Sequence, residues 1–93
     1  MRESTLQTKC LSALKLEGYY VLNLHGSAFA SRGAPDAVAC IDEQFIAFEF
    51  KVGDNDLEPA QRIHKKRIEN NGGRYFVIRS LKDLEDALDL IRR

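Results

Sequence analysis

Two apolar runs separated by only two residues constrain the fold of this chain more than any other feature. AVACID spans residues 37–42 and FIAFEFK spans residues 45–51, with Glu43 and Gln44 between them. Both runs are rich in residues that favour β-strands, and so short a connection between two strands forms a hairpin. We therefore predict a β-hairpin in the middle of the chain, with Glu43 and Gln44 as its turn.

Helical periodicity and turn residues predict the other elements. Pro59 suits a first helical turn, and Gly72 suits the residue after a helix end. The predicted elements are a helix over 4–17, a strand over 19–25, the two hairpin strands, a helix from Pro59 to before Gly72, a strand over 74–79 and a helix that begins near Ser80. Ser4 with Gln7 and Ser80 with Asp83 fit capping boxes at the first and last helices.

The resulting order, α-β-β-β-α-β-α, predicts the fold class. A strand reached through a helical crossover can lie parallel to a neighbouring strand, whereas hairpin strands are antiparallel. We expect an α/β domain in which helices flank a mixed four-stranded sheet, and 93 residues make one such domain, residues 1–93.

Composition excludes several classes of protein. Fourteen basic and fourteen acidic residues cancel, so any nucleic-acid partner must be met by a local patch. No apolar run approaches the ~20 residues of a membrane span, and no apolar secretory stretch follows Met1. Cys10 and Cys40 lie far apart in apolar patterns, so we expect reduced core residues without zinc or a disulfide. We expect a soluble, cytoplasmic protein.

The second hairpin run carries charges where a buried strand needs apolar residues. Side chains alternate along a strand, so Phe48 and Phe50 share one face while Glu49 and Lys51 share the other. With the predicted turn, Asp36 lies opposite Lys51 and diagonal to Glu49. Opposed and diagonal side chains are ~5 and ~7–8 Å apart at Cβ, so the three form one cluster at the end of the hairpin.

Two carboxylates beside a lysine suit one kind of chemistry. Mg²⁺ and Mn²⁺ prefer oxygen ligands, and a bound ion with an adjacent ammonium can promote phosphodiester hydrolysis. The alternative is that Glu49 and Lys51 form an ion pair on an exposed sheet and that Asp36, after Pro35, is only a turn residue. The convergence of three charged residues favours the metal site.

The same residues carry a resemblance to a known family. The motif GAPDAV, the EFK that begins thirteen residues after Asp36, and PAQ together resemble the PD-(D/E)xK nuclease superfamily. The whole chain resembles its virus-type replication-repair nuclease (VRR-NUC) branch, as a small stand-alone phage-like member. Further marks are Glu3, GYYV leading to HGSAF, Gly33, Gln61 and GGRYFVIRS. Glu58 departs from the branch, which often has a serine before this proline.

The resemblance implies a restriction-endonuclease-like core and a set of site residues. Asp36 and Glu49 would bind Mg²⁺ or Mn²⁺ together with the backbone carbonyl of Phe50, and Lys51 would be the catalytic lysine. Glu3 would approach the metal from the first helix, and Gln61 would orient water, metal or phosphate from the second. The implied products carry 5′-phosphate and 3′-hydroxyl ends.

The resemblance also implies the substrate and the assembly. We expect a metal-dependent DNA endonuclease that acts in DNA repair on branched DNA such as four-way (Holliday) junctions, as a homodimer and without a small-molecule cofactor, in a bacterial or phage-infected cell. The alternatives are a flap-cutting or restriction-like nuclease and a non-catalytic DNA-binding subunit of a replication complex. The carboxylate pair argues against the last of these, because binding alone does not need carboxylates facing a phosphate.

A basic stretch in the second helix predicts the surface that meets DNA. The candidate residues for contacts with the DNA backbone are Ser27, Arg32, Arg62, Lys65, Lys66 and Arg67. His25 and His64 are expected to serve as structural residues or phosphate contacts. The last helix carries the acidic residues Asp83, Glu85, Asp86 and Asp89 and is expected to face away from DNA.

Overall fold

The computed structural model describes residues 1–27 and 31–93. Ala28, Phe29 and Ala30, in the predicted loop and in the HGSAF stretch, lie outside the described residues. The elements are α1 (Glu3–Leu16), β1 (Tyr20–Asn23), β2 (Ala37–Ile41), β3 (Gln44–Phe50), α2 (Pro59–Asn70), β4 (Arg74–Ile78) and α3 (Leu81–Ile91). The predicted order is therefore confirmed. In the described ranges, no helix has the length and apolar character needed to cross a membrane.

The four strands form one mixed sheet in the order β1-β2-β3-β4. The pairs β1–β2 and β2–β3 are antiparallel, and β3–β4 is parallel because α2 carries the chain back between them. The predicted α/β class with a mixed four-stranded sheet is confirmed. The carboxyl end of β3 lies between β2 and β4, and Lys51, which directly follows it, is buried.

The hairpin turn was predicted one residue too far along the chain. Ile41 pairs with Gln44, and the turn residues are Asp42 and Glu43, with φ of 50° and 67°. Aspartate tolerates this left-handed conformation better than most residues, which favours Asp42 in the turn. Gln44 stays in the strand, where its side-chain amide donates a hydrogen bond to the carbonyl of Ile91 (3.0 Å).

The corrected register changes the position of Asp36. Ala37 pairs with Phe48, so Asp36, one residue earlier, comes opposite Glu49 and not opposite Lys51 as predicted. A shift of one turn residue leaves every side chain on its predicted face, because the pairing moves by two positions. The two carboxylates are therefore direct cross-strand neighbours.

One face of the sheet carries the main core, beneath α1 and α3. Phe48 and Phe50 are fully buried there, against apolar residues of both helices. The helical residues in this core are Leu6, Cys10, Leu11 and Leu14 from α1 and Leu84, Ala87, Leu88 and Ile91 from α3. Of the acidic residues of α3, Glu85, Asp86 and Asp89 are exposed, and Asp83 is half-buried in the first turn.

The other face carries a smaller core beneath α2, made of Ala47, Leu57 and Tyr75 with Ile68 packed against it. Glu49 belongs to this face because it alternates with Phe48 and Phe50. The basic helix α2 and the acidic helix α3 thus cover opposite faces of the sheet, as expected.

The cysteines are both free, but only one belongs to the core. Cys10 is buried in α1, where burial, followed by the charge of Asp83, raises its pKa to about 11. Cys40 is exposed, which corrects the prediction of a core residue. Cys40 lies on the α2 side of β2, beyond the part of the sheet that α2 covers, so its side chain reaches solvent.

Of the two predicted capping boxes, the first is absent from the described structure and the second forms only in part. The first is wrong, because α1 starts after Arg2 and leaves Ser4 inside the helix. The Gln7 amide instead donates a hydrogen bond to Asn23 of β1 (3.3 Å). At α3, Ser80 does accept a hydrogen bond from the Asp83 N–H (3.1 Å), but the Asp83 carboxylate accepts from the N–H of residue 79 and not from that of Ser80.

Candidate active site

The charged residues predicted for the site meet in one cavity of about 530 Å³. Asp36 directly precedes β2, Glu49 lies near the end of β3 and Lys51 directly follows β3, while Gln61 lies in the first turn of α2. Glu3, at the start of α1, also lines the cavity. The predicted catalytic residues are thus drawn from four separate parts of the chain.

Asp36, Glu49 and Lys51 are buried, with 6%, 2% and 8% of their surface exposed. Charged groups at this depth lose hydration, so each needs partners in the protein or in a ligand. This burial excludes the alternative of a Glu49–Lys51 ion pair on an exposed sheet, and it shows that Asp36 is more than a surface turn residue.

Hydrogen bonds fix Asp36 on both carboxylate oxygens. Oδ2 accepts from the backbone N–H of Phe50 (2.9 Å), and Oδ1 lies 3.0 Å from Nδ1 of His25. The Asp36 carbonyl accepts from the N–H groups of Leu24 and His25 (2.8 and 3.1 Å). The ends of β1, β2 and β3 are therefore tied together at this residue.

Glu49 is held on one oxygen only. Oε2 accepts a hydrogen bond from the Gln61 amide (3.0 Å) and lies 3.9 Å from the Lys51 ammonium. Oε1 is buried and has no hydrogen-bond partner among residues 1–27 and 31–93. A buried carboxylate oxygen without a hydrogen bond lowers the stability of the folded state, and a hydrogen-bond donor or a cation that binds this oxygen restores that stability.

The electrostatics of the cavity follow from the pairing of two carboxylates. Burial, then the negative charge of the neighbouring Asp36, raise the pKa of Glu49 to about 8, and the charge of Lys51 offsets only part of this. Like charges in a poorly hydrated site disfavour the ionised pair. The cavity is therefore deficient in positive charge.

This donor set fits a hard divalent cation. Asp36 and Glu49 supply carboxylate oxygens, which Mg²⁺ and Mn²⁺ prefer, and the unpartnered Glu49 Oε1 is an oxygen still free to bind. In the described ranges, no cluster of three or more histidine, cysteine or acidic side chains is arranged to hold a metal. The protein would thus supply a carboxylate pair, which leaves coordination positions for water and substrate.

Gln61 connects α2 to the site through both the oxygen and the nitrogen of its side-chain amide. Its Oε1 accepts from the backbone N–H of Glu58 (2.8 Å), and its Nε2 donates to Glu49. The first contact satisfies a backbone donor at the start of α2, so helix formation and the orientation of Glu49 are coupled. Gln61 therefore points from α2 into the cavity.

Gly33 allows the segment before Asp36 to approach this same helix start. Its φ is 82°, and a Cβ at this position would come within 2.7 Å of backbone and side-chain atoms of Ala60. Only glycine satisfies both the conformation and the spacing. The GAPD segment therefore packs directly against the first turn of α2.

His25 belongs to the site but was absent from the predicted catalytic set. Its ring contacts Asp36 and lines the cavity, while its side chain is 60% exposed. The pairing of Asn23 with Ala37 places the residues after β1 beside the residue before β2. The contact between His25 and Asp36 therefore follows from the register of β1 and β2, which could not be predicted from the sequence pattern.

The predicted DNA contacts are dispersed around α2. Arg62 pairs with Asp56 (2.9 Å) and Lys65 pairs with Glu69 (3.0 Å), whereas Lys66 and Arg67 are exposed. At 100° per residue, Arg67 projects from a different flank of the helix than Arg62 and Lys65. These four residues do not form one continuous face.

Of the two loop candidates, Arg32 is in contact with the same helix. Ser27 and Arg32 are exposed, and the Arg32 carbonyl accepts a hydrogen bond from Nε2 of His64 (3.0 Å). Ser31 Oγ lies 3.2 Å from the same nitrogen. His64 thus has the structural role that was expected for it, since it ties the loop before Asp36 to α2.

Comparisons with known proteins identify the fold. No family model matches the sequence, and no curated protein matches it either. A solved structure described as a VRR_NUC domain superposes with a TM-score of 0.77 at 21% sequence identity, covering 94% of each chain. The chain therefore has the fold of a VRR_NUC domain, which confirms at the level of the fold the resemblance predicted from its motifs.

Proposed function

We propose that this protein is a Mg²⁺- or Mn²⁺-dependent DNA endonuclease that leaves 5′-phosphate and 3′-hydroxyl ends. The observation that carries the proposal is the buried Asp36–Glu49 pair beside Lys51, in which one oxygen of Glu49 lacks a hydrogen-bond partner among the described residues. A binding protein has no need to bury two carboxylates facing a phosphate. The VRR_NUC fold supports the same conclusion.

The residues that line the cavity would have different roles in the reaction. Asp36 and Glu49 would hold the ion together with the carbonyl of Phe50, while Glu3 lines the same cavity from the start of α1. The ion when bound supplies positive charge for the phosphate and lowers the pKa of a water ligand. Lys51 offsets negative charge that develops on the phosphate in the transition state. Gln61 keeps Glu49 in position through its amide.

The DNA backbone would run over α2 and the loop before Asp36. Lys66 and Arg67 are exposed and lack an ion-pair partner among the described residues, so they can contact phosphates at once. Arg62 and Lys65 would first exchange Asp56 and Glu69 for phosphate oxygens. Ser27 and Arg32 complete the surface on the loop side.

We propose branched DNA, such as a four-way junction, as the substrate and a homodimer as the active form, in the cytoplasm of a bacterial or phage-infected cell. One chain holds one carboxylate pair, whereas resolution of a junction requires two cuts. Tyr20, Leu22 and Phe45 are 67%, 44% and 50% exposed on the part of the sheet that α2 leaves uncovered. Such apolar residues suit contact with a second copy.

A cleavage assay tests this proposal. Purified protein is incubated with linear, flap, splayed and four-way DNA in Mg²⁺, in Mn²⁺ and in EDTA. We expect metal-dependent cleavage, greatest on four-way DNA, and a loss of cleavage of at least 10²-fold in Lys51→Ala with DNA binding retained.

Several results of this assay would contradict the proposal. Cleavage in EDTA would remove the metal from the mechanism, and near-normal cleavage by Lys51→Ala would remove Lys51. Preference for flap or linear DNA would replace the junction assignment with a flap-cutting or restriction-like activity. DNA binding without cleavage of any substrate would favour a non-catalytic subunit.

A further inference from the structure

A second buried polar group without a partner lies beneath α2. Among the described residues, the buried side-chain oxygen or nitrogen atoms that lack a hydrogen bond are Glu49 Oε1 and the hydroxyl oxygen of Tyr75. One is an acceptor and the other carries a donor proton. Unsatisfied buried groups are uncommon in folded proteins, so two complementary ones in one region call for a physical reason.

The sheet register places the two groups on the same face. In the parallel pair of β3 and β4, Tyr75 is opposite Ala47 and Val77 is opposite Glu49. Tyr75 and Glu49 are therefore diagonal neighbours on adjacent strands, within reach of a side chain as long as tyrosine. Tyr75 is 6% exposed and its ring packs in the small core with Ala47 and Leu57.

The charges of the site act on this hydroxyl. Burial raises the pKa of Tyr75 well above its usual value, and the negative charges of Glu49 and Asp36 raise it further. The phenol therefore stays protonated and remains a hydrogen-bond donor throughout the ordinary pH range. No other role in the site uses it.

We propose that the Tyr75 hydroxyl is a positioning group for Glu49, donating a hydrogen bond to Oε1 when this carboxylate is ionised and binds a divalent cation. A carboxylate oxygen has two acceptor sites, so Oε1 can accept from the phenol and bind the ion together. Gln61 then holds Oε2 and Tyr75 holds Oε1, which fixes the plane of the carboxylate. This inference rests on the proposed metal site and extends the set of residues that orient it.

Calorimetric titration of Mn²⁺ into the metal-free protein tests the proposal without any activity measurement. We expect Tyr75→Phe to weaken Mn²⁺ binding by about 10–100-fold, the usual effect of losing a group that orients a metal ligand. Its melting temperature in EDTA should be unchanged or higher, because the variant removes only a buried hydroxyl without a partner. Tyr19→Phe removes a hydroxyl that accepts hydrogen bonds from Arg92 (2.8 and 3.0 Å) and does not line the cavity, so this variant should bind Mn²⁺ as the parent does.

A second measurement uses the parent chain, which contains three tyrosines and no tryptophan. With tyrosine labelled with ¹³C at the ζ carbon, addition of diamagnetic Mg²⁺ should shift the resonance of Tyr75 and leave those of Tyr19 and Tyr20 in place. Tyr19→Phe and Tyr20→Phe assign the three signals.

The outcomes separate this proposal from the proposed function. If the parent binds Mn²⁺ and Tyr75→Phe binds it equally, or if the Tyr75 resonance does not respond to Mg²⁺, the positioning role is wrong while the metal site stands. A lower melting temperature in EDTA with unchanged Mn²⁺ affinity would show a packing role alone. A parent that binds neither ion would overturn both proposals.

Discussion

At the scale of single residues, Glu49 determines how this protein behaves without metal. Its Oε2 accepts a hydrogen bond from Gln61, its Oε1 has no hydrogen-bond partner in the described part of the chain, and Asp36 lies opposite it on the neighbouring strand side. The same features that make Glu49 a poor anion in the free protein make it a good ligand for a cation. Metal binding and proton binding therefore compete at this carboxylate.

The raised pKa of Glu49 predicts a pH dependence of stability in EDTA. The folded state holds this proton up to about pH 8, whereas the unfolded chain releases it near the ordinary value of 4.5. Between these values the folded state binds more protons than the unfolded state, so the free energy of unfolding falls as pH rises and levels off above about 8.

Glu49→Gln should remove this decline and raise the melting temperature at pH 8 by several degrees, since ~1 kcal/mol shifts a domain of this size by roughly 4–8 °C. Thermal melts of parent and variant from pH 5 to pH 9 in EDTA measure the difference. Parallel curves for the two proteins would show that Glu49 ionises normally in the fold.

At the scale of elements, the inner and outer sides of α2 have different roles. Its inner side carries Gln61 and His64, which hold Glu49 and the loop before Asp36. Its outer sides carry the basic residues, of which Lys66 and Arg67 are exposed. The helix therefore connects the proposed DNA surface directly to the cavity.

Neutralising Lys66 and Arg67 tests the DNA surface. The double variant Lys66→Gln/Arg67→Gln should weaken binding to all DNA sequences alike and reduce the slope of log K against log salt by up to ~2, about 0.9 per lost phosphate contact. Electrophoretic mobility shifts across a salt series give both quantities.

A matched control removes the same charge elsewhere. Lys15→Gln/Lys82→Gln takes two positive charges from exposed positions on α1 and α3, on the opposite face of the sheet. Its binding should remain close to that of the parent. An equal loss in both double variants would indicate that net charge, and not the α2 surface, governs DNA binding.

The elements also show what sequence patterns can and cannot predict. Helical periodicity, β-rich runs and glycine stops predicted all seven elements, because each is a local property of the chain. The hairpin turn was misplaced by one residue, since Glu43-Gln44 and Asp42-Glu43 are both short polar connections and the choice depends on left-handed conformation. Asp36 consequently faced the wrong partner in the predicted site.

Sequence patterns could not predict the contacts of His25 and Tyr75, and the reason is a different one. Both depend on pairing between strands that are distant in sequence, β1 with β2 and β3 with β4. Sequence patterns identify strands more readily than their partners. Asp36, Glu49, Lys51 and Gln61 were proposed from a motif, and the structure brings all four into one cavity although the predicted turn was displaced by one residue.

At the scale of the whole molecule, the sheet organises function by separating charge. The main apolar core lies with α1 and the acidic α3 on one face, and the cavity that contains Asp36 and Glu49 opens beside α2 on the other. A chain with a formal net charge of zero can therefore still present a basic surface next to its carboxylate pair. The central claim is that this pair binds a divalent cation in the folded protein.

Thermal melts of the parent and Asp36→Asn, in EDTA and in millimolar Mn²⁺, test this claim most directly. Asp36→Asn relieves the repulsion between carboxylates, so its melting temperature in EDTA should equal or exceed that of the parent, where most substitutions lower it. Mn²⁺ should stabilise the parent by several degrees, because the ion binds only the folded site, and should do little for the variant. A parent that does not respond to Mn²⁺ at concentrations supporting cleavage, or a variant stabilised as much as the parent, would contradict the assignment of Asp36 as a metal ligand.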